Sequence, residues 1–146
     1  MRIGEINCSY DKETFLATAT IEIDGRKFAS YAKCSSNDAD MESPIVGCEI
    51  AGKKVLIKAL KEYKRELKIG LASLEQLYYS MNRSKHFNEK SYENKMLQSQ
   101  IQLFKNDLAT ISKEIAEREQ ELKEYIKIKD DLYKKLRKIR KRGSSN

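Results

Sequence analysis

The chain predicts an α+β protein, a small antiparallel N-terminal β-meander packed on a long antiparallel helical hairpin with a coiled-coil C-terminal helix. Three observations predict it. Asp24-Gly25 sits between two runs of alternating polarity, the strongest short-range signal of a β-hairpin. A helical stripe of Leu60, Tyr63, Leu67, Leu71, Leu74 and Tyr78 follows. Between Leu97 and Ile139 an apolar residue then recurs at alternating steps of four and three, the spacing that keeps one helix stripe facing a partner.

The strands come first. With Asp24-Gly25 as the turn, Ile23 faces Arg26, Glu22 faces Lys27, Ile21 faces Phe28, Ala19 faces Ser30, Ala17 faces Ala32 and Phe15 faces Cys34. This register puts Ala17, Ala19, Ile21, Ile23 and Phe28 on one face and Thr18, Thr20, Glu22, Lys27 and Lys33 on the other. A slip of one residue would mix the two sets. Tyr10–Thr14 reads as an earlier turn that brings in Ile3–Tyr10 as a third strand. Two strands alone are marginal, so the sheet must lie on something apolar.

The first helix begins after the polar loop Ser35–Glu42. Ser43 is the N-cap and Pro44, the only proline, occupies the first helical position, where its missing N–H costs nothing. Gly47, Ala51 and Gly52 allow close approach to the sheet, and the pattern runs to about Met81. Gly70 is a place where a kink would be tolerated. The polar connection Asn82–Lys90 leads to the second helix near Ser91, antiparallel to the first. Residues 1–81 thus hold the sheet and first helix, and 82–146 the connection and the long helix, as one structural unit.

The seam of the second helix is Leu97, Ile101, Phe104, Leu108, Ile111, Ile115, Arg118, Leu122, Tyr125, Lys129, Leu132, Leu136 and Ile139, broken only at Arg118 and Lys129. At ~1.5 Å per residue it is a rod of about 65 Å. Its distal part outruns the first helix and calls for another surface, for which a second copy of the chain is the simplest candidate. Charge is concentrated at its tip. Of 29 Lys and Arg against 22 Asp and Glu, the seven within residues 134–142 account for the whole excess of +7. A general basic surface is therefore not supported, while a local one for nucleic acid or another polyanion is. The helix macrodipole alone also favours cations there.

Catalytic and metal signatures do not emerge. The one histidine, His86, lies in the connection with no cysteine or carboxylate at diagnostic spacing. Cys8, Cys34 and Cys48 form no knuckle and no even framework, which argues for a reducing compartment and a cytoplasmic protein. No apolar run reaches the length of a membrane span. What the sequence does offer is nucleotide-like recognition chemistry at two places. Arg83, Phe87, Asn88 and Tyr92 in and beside the connection, and Arg26, Tyr31 and Lys33 on the hairpin, supply rings for stacking, an amide for base or ribose edges and cations for phosphate. The same aromatics would equally serve to staple the helices to the sheet.

The stretch ATATIEIDGRKFASYAKCS as a small sheet, VGCEIAGKKVLIKALKEY as a helix on it, and a long assembling C-terminal helix together resemble the phage anti-Thoeris sponge proteins. The resemblance covers residues 14–140 and rests on the order of elements. It implies a non-enzymatic homo-oligomer, without cofactor, that sequesters cyclic ADP-ribose-type signals made by bacterial TIR-domain defence proteins, some members also holding cyclic oligonucleotides. It implies pockets where elements of neighbouring subunits meet. The competing expectation, from charge alone, is a coiled-coil adaptor whose residues 134–142 engage nucleic acid or an acidic protein.

Overall fold

The computed structural model describes residues 3–33, 43–83 and 92–144. Three strands, β1 (Asn7–Asp11), β2 (Leu16–Ile23) and β3 (Arg26–Lys33), form an antiparallel sheet in that spatial order. Two helices follow, α1 (Pro44–Asn82) and α2 (Tyr92–Ser144). The protein is α+β, with the meander and helical hairpin that the patterning predicts.

The β2–β3 register is the one dictated by the turn, from Ile23↔Arg26 to Ala17↔Ala32 and on to Leu16↔Lys33. Asp24 and Gly25 both take positive φ, +49° and +81°, as a tight hairpin turn of this hand requires. The expected Phe15–Cys34 pair falls partly outside the described residues. Phe15 lies before β2 with φ +57°, outside the extended region, and Cys34 lies outside the described residues. In the β1–β2 turn, Asp11 Oδ1 accepts hydrogen bonds from the backbone N–H of Glu13 (2.9 Å) and Thr14 (3.4 Å), which closes the chain back on itself. These bonds hold the Asp11 carboxyl below its usual range, the Glu13 N–H contributing most. Ile3 adds only an isolated bridge to Ile23, so the first strand is shorter than Ile3–Tyr10.

Two compact units emerge, one of residues 1–59 and 117–146, the other of 60–116. In the first, the apolar face of β2 (Ala17, Ala19, Ile21, Ile23) closes on Ala51, Val55 and Ala59 of α1, all buried. Small residues set the spacing. A Cβ on Gly47 would stand 3.2 Å from Ala17 Cβ, so any larger side chain there would push the helix off the sheet. Ser43 caps α1 as predicted, its Oγ accepting from Val46 N–H (3.3 Å) and its carbonyl from Gly47 N–H (3.0 Å). Lys54 and Lys58 of α1 donate to the Tyr31 carbonyl (3.2 Å) and the Ala29 carbonyl (3.0 Å) of β3.

The distal half of α2 belongs to this same unit, so part of the other surface expected for it lies within the chain. Lys53 Nζ stands 5.6 Å from the centre of the Tyr125 ring. Burial, and secondarily the charge of Glu49, raises the Tyr125 hydroxyl above its ordinary value of 10.0. The start of α1 and the sheet thus provide the surface that the overhang needs. The cysteines also differ from expectation. Cys8 of β1 and Cys48 of α1 are disulfide-bonded, with Cα atoms 5.8 Å apart and forty positions apart in sequence. The odd count concealed one pair, and cysteine usage no longer argues for a reducing compartment.

The second unit is a two-helix segment. Leu60 and Leu67 of α1 and Leu97, Ile111 and Ile115 of α2 are buried. Asn94, fully buried, donates to Asn82 Oδ1 (3.2 Å) and accepts from Gln98 Nε2 (2.8 Å), while Gln98 also donates to the Tyr78 hydroxyl (3.1 Å). A fully buried side-chain amide is tolerated because it is paired on both sides. α1 passes through Gly70 without a break. The missing side chain there leaves room for Phe104, whose Cε1 would lie 2.9 Å from a Cβ.

Candidate functional site

A cavity of about 270 Å³ opens in the first unit, where four segments distant in sequence converge. β1 and the turn after it supply Tyr10 and Phe15, and the end of β3 supplies Lys33. The first turn of α1 supplies Ser43, Val46 and Gly47, and α2 supplies Lys129, Asp130, Tyr133 and Arg137.

Each contribution has a local cause. Tyr10 faces the α1 start and packs beside Gly47, where even a Cβ would stand at ordinary contact distance, 3.7 Å from Tyr10 Cε2. Two residues back on the same strand face, Cys8 ties β1 to Cys48, the neighbour of Gly47, so the disulfide holds the Tyr10–Gly47 wall together. Phe15 lines the cavity from a left-handed backbone conformation that a bulky residue adopts only when its surroundings impose it. Lys129 lies on the α2 face turned to the sheet, its Nζ 3.1 Å from Asp130 Oδ1 and 5.7 Å from the Tyr133 ring centre.

The electrostatics favour an anion. Three cations, Lys33, Lys129 and Arg137, line the cavity against one carboxylate, Asp130. The amino end of a 39-residue helix opens into the same space, and its first turn holds no acidic residue to offset the helix dipole. Three aromatic side chains, Tyr10, Phe15 and Tyr133, complete the wall. This is chemistry for a ligand that combines phosphate with a planar ring. A wider cleft of about 720 Å³ in the second unit is lined by Tyr78, Tyr79, Lys95 and Lys105 together with Glu75. It is more open, and it gathers two cations, so the same chemistry is less concentrated there.

The residues singled out from sequence scatter. Lys33 lines the cavity. Arg26 is at the opposite end of β3, about 23 Å away at the rise of a strand, its guanidinium 5.8 Å from the Phe28 ring centre. Tyr31 is exposed on the polar face of the sheet. Arg83 and Tyr92 belong to the second unit, both exposed, and line neither space. Phe87, Asn88 and His86 lie outside the described residues. Tyr10, Phe15, Lys129, Tyr133 and Arg137 escape sequence reasoning because only tertiary packing gathers them. One signal existed: Lys129 breaks an otherwise apolar seam, and a cation inserted there points inward. Arg118, the other break, is exposed beside Glu121.

Among the described residues no group of three or more His, Cys, Asp or Glu gathers at metal-binding distance, and no helix is long and apolar enough to cross a membrane. No protein-family model, curated protein or solved structure matches this chain.

Proposed function

We propose that the protein binds and sequesters, without turning it over, a small cyclic nucleotide signal of the cyclic ADP-ribose type, as a homo-oligomer that blocks host defence. The cation- and aromatic-lined cavity at the amino end of α1 carries this reading. Phosphate oxygens would meet Lys33, Lys129 and Arg137 near the positive end of the α1 dipole, and the base would lie against Tyr10 or Tyr133. At about 270 Å³ the cavity is at the small end of ligand sites and takes up one part of such a molecule. The resemblance to sponge proteins, whose pockets join neighbouring subunits, supports a second chain completing the rest. The reading places the protein in the host-cell cytoplasm, where reducing conditions open disulfides. Binding should therefore persist when Cys8 and Cys48 are thiols.

Calorimetry with cyclic ADP-ribose isomers, with and without reductant, tests it. Saturable binding is expected, with the ligand recovered chemically unchanged after heat denaturation. Arg137→Ala should weaken binding roughly 10- to 100-fold, the range for a lost charge-assisted hydrogen bond. Conversion of the ligand, or unaltered affinity in the variant, contradicts the proposal.

A second reading has its own observation. Lys134, Lys135, Lys138, Arg140, Lys141 and Arg142 are all exposed at the end of α2. A coiled-coil adaptor binding nucleic acid or an acidic protein through this tip predicts affinity that falls steeply with salt. Substituting these six residues while keeping Arg137 separates the readings, since it abolishes polyanion binding and spares the cavity.

A further inference from the structure

The distal half of α2 carries an ordered pattern of exposed apolar and charged side chains along one stripe. Ile128, Leu132 and Ile139 are 68%, 52% and 63% exposed. At about 100° per residue the three fall within roughly 40° of one another around the helix, so they form one narrow stripe. Extended toward the amino end, the same stripe holds Glu117, Glu121 and Glu124, all exposed. Extended toward the carboxyl end, it holds Lys135 and Arg142, also exposed. The face therefore reads acidic over Glu117, Glu121 and Glu124, apolar at Ile128 and Leu132, and basic at Lys135 and Arg142 with Ile139 between them.

Such a face is complementary to itself when inverted. We propose that it is the contact between two copies of this chain, paired antiparallel along α2 about a two-fold axis near Asp130. In that register Ile128 packs on Leu132 of the partner subunit, Glu124 meets the partner's Lys135, and Glu117 meets the partner's Arg142. Each contact occurs twice, as an isologous interface requires. A parallel pairing would set acid against acid and base against base. Charge order thus selects the antiparallel arrangement, and the stripe of about seven turns gives it length. The cavity uses the other side of the same helix, through Lys129, Tyr133 and Arg137, so this pairing leaves the cavity mouth open to a further subunit.

This inference gives a surface to the self-association in the proposed function and does not depend on the ligand. Sedimentation equilibrium of the full chain should show a dimer at micromolar concentration. Ile128→Asp with Leu132→Asp should abolish it while circular dichroism stays unchanged, since both side chains are exposed. Glu124→Lys alone, and Lys135→Glu alone, should each weaken the dimer about tenfold, because each reversal acts twice across the axis. The double reversal E124K/K135E should restore it. A monomeric wild-type protein, a dimer insensitive to the aspartates, or singles that the double reversal does not rescue would each overturn the proposal. Ligand binding by a monomer would remove this pairing and leave the cavity reading intact.

Discussion

The two halves of α2 share one repeat and meet different fates. From Leu97 to Ile115 the seam is inward, with Leu97, Ile111 and Ile115 buried against the second half of α1. From Leu122 onward the half-buried positions become Leu122, Tyr125, Ile126, Lys129, Tyr133, Leu136 and Arg137, while Leu132 and Ile139 turn outward. A straight helix of 3.6 residues per turn drifts about 20° per heptad from a 3.5-residue repeat. The same periodic sequence therefore rotates its stripe away from the intramolecular partner, exposing one set of apolar residues and bringing Lys129 and Tyr133 inward. An apolar repeat specifies that a stripe will be covered, not what will cover each turn of it.

The contrast can be broken most sharply with alanines at equivalent seam positions. Ile115→Ala should cost about 2–5 kcal/mol in urea unfolding, the range for emptying a buried aliphatic site. Ile139→Ala should stay within about 0.5 kcal/mol when measured on dilute monomer. Equal losses would mean that the distal stripe is covered within the chain.

A polar position on the proximal half sharpens the comparison at smaller cost. Asn94→Ala removes the partner of Asn82 and Gln98, and should destabilise by about 1–3 kcal/mol. Asn94→Leu should recover part of the loss if the two remaining amides pair with each other.

The smallest effect belongs to the distal half and to alkaline pH. The folded state raises the Tyr125 hydroxyl above its ordinary value, chiefly by burial. A raised value means the neutral phenol is favoured on folding. The resulting stability is fully present below pH 10 and is lost as pH climbs through the folded-state value. Wild type should therefore lose more stability than Tyr125→Phe between pH 9 and pH 11 in parallel denaturant titrations. Identical slopes would show that Tyr125 is not held against α1.

Much of this architecture was legible because single residues carried it. Asp24-Gly25 set the β2–β3 register, and the Ser43-Pro44 pair set the start of α1. The distal packing of α2 was not legible, because the start of α1 lies seventy or more residues away in sequence. The Cys8–Cys48 link was hidden by the third cysteine, which makes the count uninformative. At the site, Lys33 was reachable from the polar face of the hairpin, and Arg26 misled because composition ignores its place at the other end of the strand. Tyr10, Phe15, Tyr133 and Arg137 become neighbours only when a sheet corner, a helix start and a distant helix meet.

The lysines that reach from α1 to β3 have a consequence beyond local hydrogen bonding. Lys54 and Lys58 occupy the Tyr31 and Ala29 carbonyls that an incoming strand would need. On the opposite edge, β1 has five residues and is cross-linked to the helix. The β3 margin is hindered by the two lysines from taking on a further strand, which guards a chain with so small a β-layer against fibrillar stacking.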